Sequence, residues 1–258
     1  MASKIKVAIT GATGRTSCSL VRKILTAKDC FDVPKCLLRS IAKAKEKYED
    51  VWGELEGNCH EVDITADNST DLMTELFKDC NALVILTSVV VGFKDGRVFF
   101  LPDDGTNKGS PELVDWIGQQ RQVDAAKRAG VAHIVMVGSM GTTKAAPDEF
   151  MGCFKYKRQS EDYLIESGLT YTIVNPCMLV DGEEGTRELV FSKSDKLHFS
   201  GSSKEYQVAR KTVAEVVFQT LLVPEAKNKA FDLLGRVEIP PTKAVDYVAV
   251  FKEMTPGL

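Results

Sequence analysis

Residues 9–17 read "ITGATGRTS" and follow the apolar run "KIKVAIT" without a break. A glycine turn between a strand and a helix gathers backbone amides and the positive end of the helix dipole in one place, an arrangement that suits a phosphate. Gly11 fits the tight turn, and Gly14 lets the backbone come close to a pyrophosphate, with Thr13, Arg15 and Thr16 beside it. The third small position, where helix packs on strand, is Ser17 instead of glycine. A plain strand-to-helix loop has the same pattern, so neighbouring positions must decide.

Arg39 closes the next apolar run, in "CLLRS". A dinucleotide site that recognises a ribose 2′-hydroxyl places an acid there, whereas one that takes a 2′-phosphate uses arginine. Arg15 offers a second guanidinium, and such planar forks suit an oxyanion better than a lysine does. The expected ligand is NADP(H) in preference to NAD(H). Asp63 and Ile64, in "EVDIT", are placed to meet the adenine by hydrogen bond and by packing; a helix cap is the other role open to Asp63. Thr87 and Ser88, ending "LVILTS", fall near the riboses, or else bond to their own turn.

Positioning these residues requires alternating strands and helices. Strands are expected at 4–10, 33–39, 59–63, 81–87, 131–138, 170–174 and 229–234, with helices at 14–27, 40–48, 69–78, 111–129, 154–167, 212–223 and 242–253. The runs at 81–87 and 131–138 are apolar almost throughout, as central parallel strands covered on both faces are. Val213, Val216, Val217, Thr220 and Leu221 form a helical stripe, and Thr212 with Glu215 has capping-box spacing. The fold class is α/β, a Rossmann-type doubly wound parallel sheet formed by one domain over 1–258. Two long stretches, 88–110 and 178–208, interrupt the alternation and are expected as loops lining the ligand pocket.

Composition narrows the function classes. With 44% hydrophobic and 27% charged residues the chain has the make-up of an ordinary soluble enzyme, and a net charge of −3 offers no footprint for nucleic acid. Seven scattered cysteines without a C-x-x-C pair argue against a disulfide framework and a zinc site. His60, His133 and His198 are isolated from one another, and no metal is implied. No apolar stretch reaches membrane-spanning length, and "MASKIKVAIT" enters a strand without room for a leader, so the expected setting is cytoplasmic. The expected partner is a small-molecule substrate, for a chain acting as a monomer or homodimer.

The blocks "TGATGRT", "LLRS", "NALVILTS", "VDWIGQQRQVDAAKRAGVAHIVMVGSMG" and "YKRQSEDYLIESGLTYTIVNP", with the tail "EEGTRELV" through "KAFDLLG", span nearly the whole chain. In them the sequence resembles the atypical short-chain dehydrogenase/reductases, in particular the plant and algal NAD(P)-binding proteins close to the NmrA-like and flavin-reductase-like branches. The resemblance implies NADP(H) at the first turn and a small carboxyl-terminal region that covers the nicotinamide. It implies that Lys157 holds the nicotinamide ribose, that Ser139 polarises a carbonyl, and that Asn175 and Pro176 meet the carboxamide. The wider family's tyrosine, four residues before the lysine, is replaced by Cys153. Tyr156 is turned about 100° from that face, and Tyr163 is expected to pack on the sheet. The implied activities are hydride transfer to a quinone, a flavin-like ring or an activated carbonyl, or alternatively NADP(H) sensing without catalysis. Trp116, Phe93, Phe99 and Phe100 are candidate aromatic walls, or simple packing.

Overall fold

The computed structural model describes residues 3–94, 97–101, 109–143, 152–196, 206–237 and 239–257, with the backbone alone at 91–94 and 97–101. The first half holds β1 (Val7–Thr10), α1 (Arg15–Thr26), β2 (Lys35–Leu38), α2 (Ile41–Lys47), α3 (Trp52–Leu55), β3 (Cys59–Glu61), α4 (Ser69–Phe77) and β4 (Ala82–Ile85). A hairpin follows, β5 (Val90–Lys94) with β6 (Arg97–Leu101). Next come a π-helical turn (Glu112–Ile117) continuing into α5 (Gly118–Ala129), then β7 (His133–Val137), α6 (Cys153–Glu166) and β8 (Tyr171–Pro176). The remainder is β9 (Leu179–Val180), β10 (Leu189–Ser192), β11 (Val208–Ala209), α7 (Arg210–Leu222), β12 (Lys229–Gly235) and α8 (Tyr247–Glu253).

Eight strands form one sheet in the order β10-β12-β8-β7-β4-β1-β2-β3. All neighbours run parallel except β10, which lies antiparallel on β12 at the edge. Side chains alternate strictly between the two faces. Val7, Ile9, Ala82 and Val84 join Leu20, Ile24, Val213 and Val217 beneath α1 and α7, whereas Ala8, Leu83 and Ile85 join Met73, Phe77 and Val123 beneath α4 and α5. Each Val, Leu, Ile, Met or Phe side chain among them contributes about 1.5–3 kcal/mol on burial, so the continuous apolar runs are explained by a sheet with two covered faces.

Two expectations need correction. Thr212 does not cap its helix: α7 begins two residues earlier, behind Ala209, which provides no side-chain cap. Glu215 instead pairs with Lys23 at 2.7 Å, bridging α7 to α1. The stretches 88–110 and 178–208 are not simple loops, since the first contains the β5–β6 hairpin and the second contributes β9, β10 and β11. The side chains of Phe93, Phe99 and Phe100, and all of His198, lie outside the described residues.

Candidate functional site

The chain order reverses beside β1, which has β2 on one side and β4 on the other. In parallel sheets this switch point opens a crevice beyond the carboxyl ends of the strands. A cavity of about 330 Å³ lies there. Gly11, Thr13, Gly14, Arg39, Asp63, Ile64, Thr87 and Ser88 line it. Arg15, Thr16, Ser139, Lys157, Asn175 and Pro176 are not among its lining residues.

The first turn is built for close approach. Gly11 has φ +66°, and a Cβ on it would meet the Leu86 carbonyl and the Thr87 nitrogen at 3.0 Å. The buried Ser17 hydroxyl donates to the Gly11 carbonyl at 2.8 Å, so the residue standing in place of the third glycine ties the turn to the helix. Gly14 is the N-cap of α1 and supplies no side-chain cap, and the first turn carries no acid. The unpaired amides and positive dipole end are therefore left for an anion.

Arg39 is exposed and is the only cationic residue lining the cavity among the described residues. Arg15 instead reaches Asp181 at 3.2 Å, and Arg210 reaches the same carboxylate at 2.8 Å. Asp63 is not a helix cap: its Oδ1 accepts from the Thr65 amide at 2.9 Å and the Thr65 hydroxyl at 2.7 Å, closing a turn at the cavity wall. Thr87 bonds away from its own turn, accepting from Gln122 Nε2 at 3.0 Å and, through its carbonyl, from Gln119 Nε2 at 2.8 Å.

Ser88 carries the link to the second half of the chain. Lys157 Nζ, on α6, donates to the Ser88 hydroxyl at 2.8 Å and to Asp115 Oδ1 at 3.1 Å. The Lys157 side chain is 15% exposed and that of Asp115 1%. One turn earlier on α6, burial pushes the Cys153 thiol up to about 12, with Asp115 adding to it and Lys157 opposing. That thiol is neutral at physiological pH and is neither a ready acid nor a nucleophile. Tyr156 is half-buried with the Lys155 ammonium 5.2 Å from its ring centre. Tyr163 packs on the apolar layer, its hydroxyl donates to Asp124 at 2.7 Å, and Trp116 meets its ring edge-on. Trp116 therefore acts in packing.

At the ends of the next strands, Ser139 bonds to the Met140 carbonyl at 3.1 Å. Asn175 is buried with Oδ1 unpartnered among the described residues, and Pro176 is the last residue of β8, two beyond the expected end. His133 is buried against the Thr172 hydroxyl at 2.9 Å, and burial pushes its pKa down to about 4.

Sequence reasoning did not single out Asp115, Gln119, Gln122 or Glu161. The first three share one helix face in "VDWIGQQRQ", at i, i+4 and i+7, but such a polar face reads as the solvent side until packing buries it.

Comparison with known proteins agrees with this geometry. The NAD(P)H-binding family matches residues 11–224. An uncharacterised chloroplastic protein of Arabidopsis thaliana is 39% identical over 262 residues, covering 97% of this chain and 76% of its own length. Sanguinarine reductase of Eschscholzia californica is 33% identical over 279 residues, covering 98% and 97% respectively. Among solved structures, an epimerase/dehydratase-type protein of Bacillus halodurans superposes with a TM-score of 0.71 over 97% of this chain and all of its own, at 22% identity. A short-chain dehydrogenase/reductase of Veillonella parvula in complex with NADP reaches 0.63 over 94% and 99%, at 14% identity. The two solved structures speak for the fold, and the family match over most of the chain speaks for descent. The chain belongs to the NAD(P)H-binding family, as an atypical short-chain dehydrogenase/reductase with plant relatives.

Proposed function

We propose that this protein is an NADPH-dependent reductase acting on a small conjugated acceptor: a quinone, a flavin-like ring or an activated carbonyl. When bound, NADPH supplies the hydride. The Gly11–Gly14 turn and the open end of α1 hold the pyrophosphate, and Arg39 takes the 2′-phosphate. Lys157 and Ser88 bind the nicotinamide ribose, Asn175 and Pro176 face the carboxamide, and Ser139 polarises the acceptor. The observation that carries this reading is the 2.8 Å contact from Lys157 to Ser88, which brings α6 to the rim of the cavity. A relative that bears a reductase's name and matches 98% of the chain supports it, as does the NADP complex of a protein with the same fold.

The acceptor class follows from the missing acid. With Cys153 in place of tyrosine and its thiol pushed up to about 12, the favoured acceptors are those whose reduced forms take a proton from water. The same observation favours a second reading, an NADP(H)-sensing protein that keeps the berth and has lost the chemistry. Following NADPH oxidation across quinones, flavins and aldehydes separates the two. Turnover of any class supports the reductase; tight NADPH binding with no turnover supports the sensor.

Because relatives at 39% and 29% identity are chloroplastic by name, the proposed setting is a plastid in preference to the cytoplasm. Imaging a fluorescent fusion of the full-length protein tests this.

A further inference from the structure

We propose that Asp115 is a positioning residue whose buried carboxylate fixes the Lys157 ammonium at the cavity rim, in the place where a nicotinamide ribose is gripped. The proposal rests on the cofactor reading above and assigns a role to a residue outside the glycine turn and the family's lysine.

A lysine is a strongly hydrated point charge on a flexible four-carbon stem. Left unpaired in a cavity wall it would swing out to water, because burying a charge without a partner is costly. Asp115 prevents this. Its Oδ1 accepts from Lys157 Nζ at 3.1 Å and also from the amide of Val89 at 3.4 Å, the residue after Ser88. Its backbone carbonyl accepts from the Ser160 hydroxyl, three residues beyond Lys157 on α6. One residue thus joins the cavity-lining segment Ser88–Val89 to α6 through both side chain and main chain.

Two features indicate that this carboxylate is kept for geometry more than for stability. Asp115 lies within the π-helical turn Glu112–Ile117, an uncommon conformation that is frequent at functional sites. Its second oxygen, Oδ2, is buried with no hydrogen-bond partner among the described residues. A half-satisfied buried carboxylate is a poor stabilising element, and well-packed apolar residues often serve the fold as well or better.

The first test uses cofactor-free protein. Limited acylation with acetic anhydride, read lysine by lysine by mass spectrometry, compares Lys157 with the exposed Lys155 as internal reference. In Asp115→Asn the Lys157:Lys155 rate ratio should rise about tenfold, because the ammonium loses its buried counterion; an unchanged ratio overturns the proposal.

The second test is a double-mutant cycle on NADPH affinity. Asp115→Asn and Lys157→Met should each weaken binding by about tenfold, and the double variant should be within about twofold of Lys157→Met, because Asp115 acts through Lys157. Additive losses would show a general structural role and overturn the proposal while leaving the cofactor reading intact. Failure of the wild-type protein to bind NADPH overturns both. Should Asp115→Asn fail to fold, Asp115→Ser keeps a small acceptor at the site and carries the same cycle.

Discussion

Glu161 on α6 and Asn175 on β8 converge over Gly138: a Cβ placed there would lie 2.4 Å from Glu161 Oε1 and 2.3 Å from Asn175 Oδ1. Only glycine leaves room for both. Among the described residues each of these oxygens is buried without a donor, and the other Glu161 oxygen has the Thr142 hydroxyl at 3.4 Å. Two buried acceptors at one point disfavour a charged Glu161 carboxylate. Burial pushes its carboxyl up to about 8, outweighing the nearby Arg158 and Lys157 cations.

This buried acid sets a pH dependence of stability. The folded state keeps a proton that the unfolded chain releases near the ordinary value of 4.5. The contribution is therefore complete below that value and is lost as pH rises through about 8, a total of a few kcal/mol. Glu161→Gln keeps the shape and a donor while removing the titration. Thermal melts between about pH 5 and about pH 9 should show the wild type losing stability relative to the variant as pH rises through about 8. Parallel curves would show that Glu161 does not carry this effect.

Arg39 should set cofactor preference. It is the cavity's only described cation and is without an acidic partner among the described residues. Arg39→Asp should weaken NADPH binding by about 10- to 100-fold, the worth of a charge-assisted contact to phosphate, and should leave NADH binding equal or tighter. Titration of both nucleotides checks this. Unaltered selectivity would assign the 2′-phosphate to another group.

Cys153 should be dispensable for chemistry. With its thiol held neutral by burial, Cys153→Ala should change NADPH affinity and turnover by no more than about twofold, at a cost of about 1 kcal/mol in stability from lost packing. Steady-state kinetics with a denaturation curve separates the two effects. A loss of turnover at unchanged stability would make the thiol a participant.

The sheet was legible because both of its faces are covered: "VAIT", "ALVI" and "HIVMV" are apolar at every position but their ends, as parallel strands buried on both faces require. The glycine turn and Arg39 were legible because backbone conformation and charge each limit the residue types allowed. The edge strand β10, "LVFS", and the pair β9–β11 were hidden because short edge strands lack a distinctive period. The Arg15–Asp181 contact joins residues 166 apart in sequence, and the separation of Arg15 from the cavity wall follows from that tertiary partner. Asp115 and Glu161 were missed for a related reason: a lone acid within a helix reads as solvated until packing buries it.

Calorimetric titration of the purified, nucleotide-free protein is the decisive measurement for a dinucleotide berth at the first turn. One saturable NADPH site per chain is expected, tighter for NADPH than for NADH and weakened by Arg39→Asp. Absence of saturable binding by either NADPH or NADP would contradict that berth.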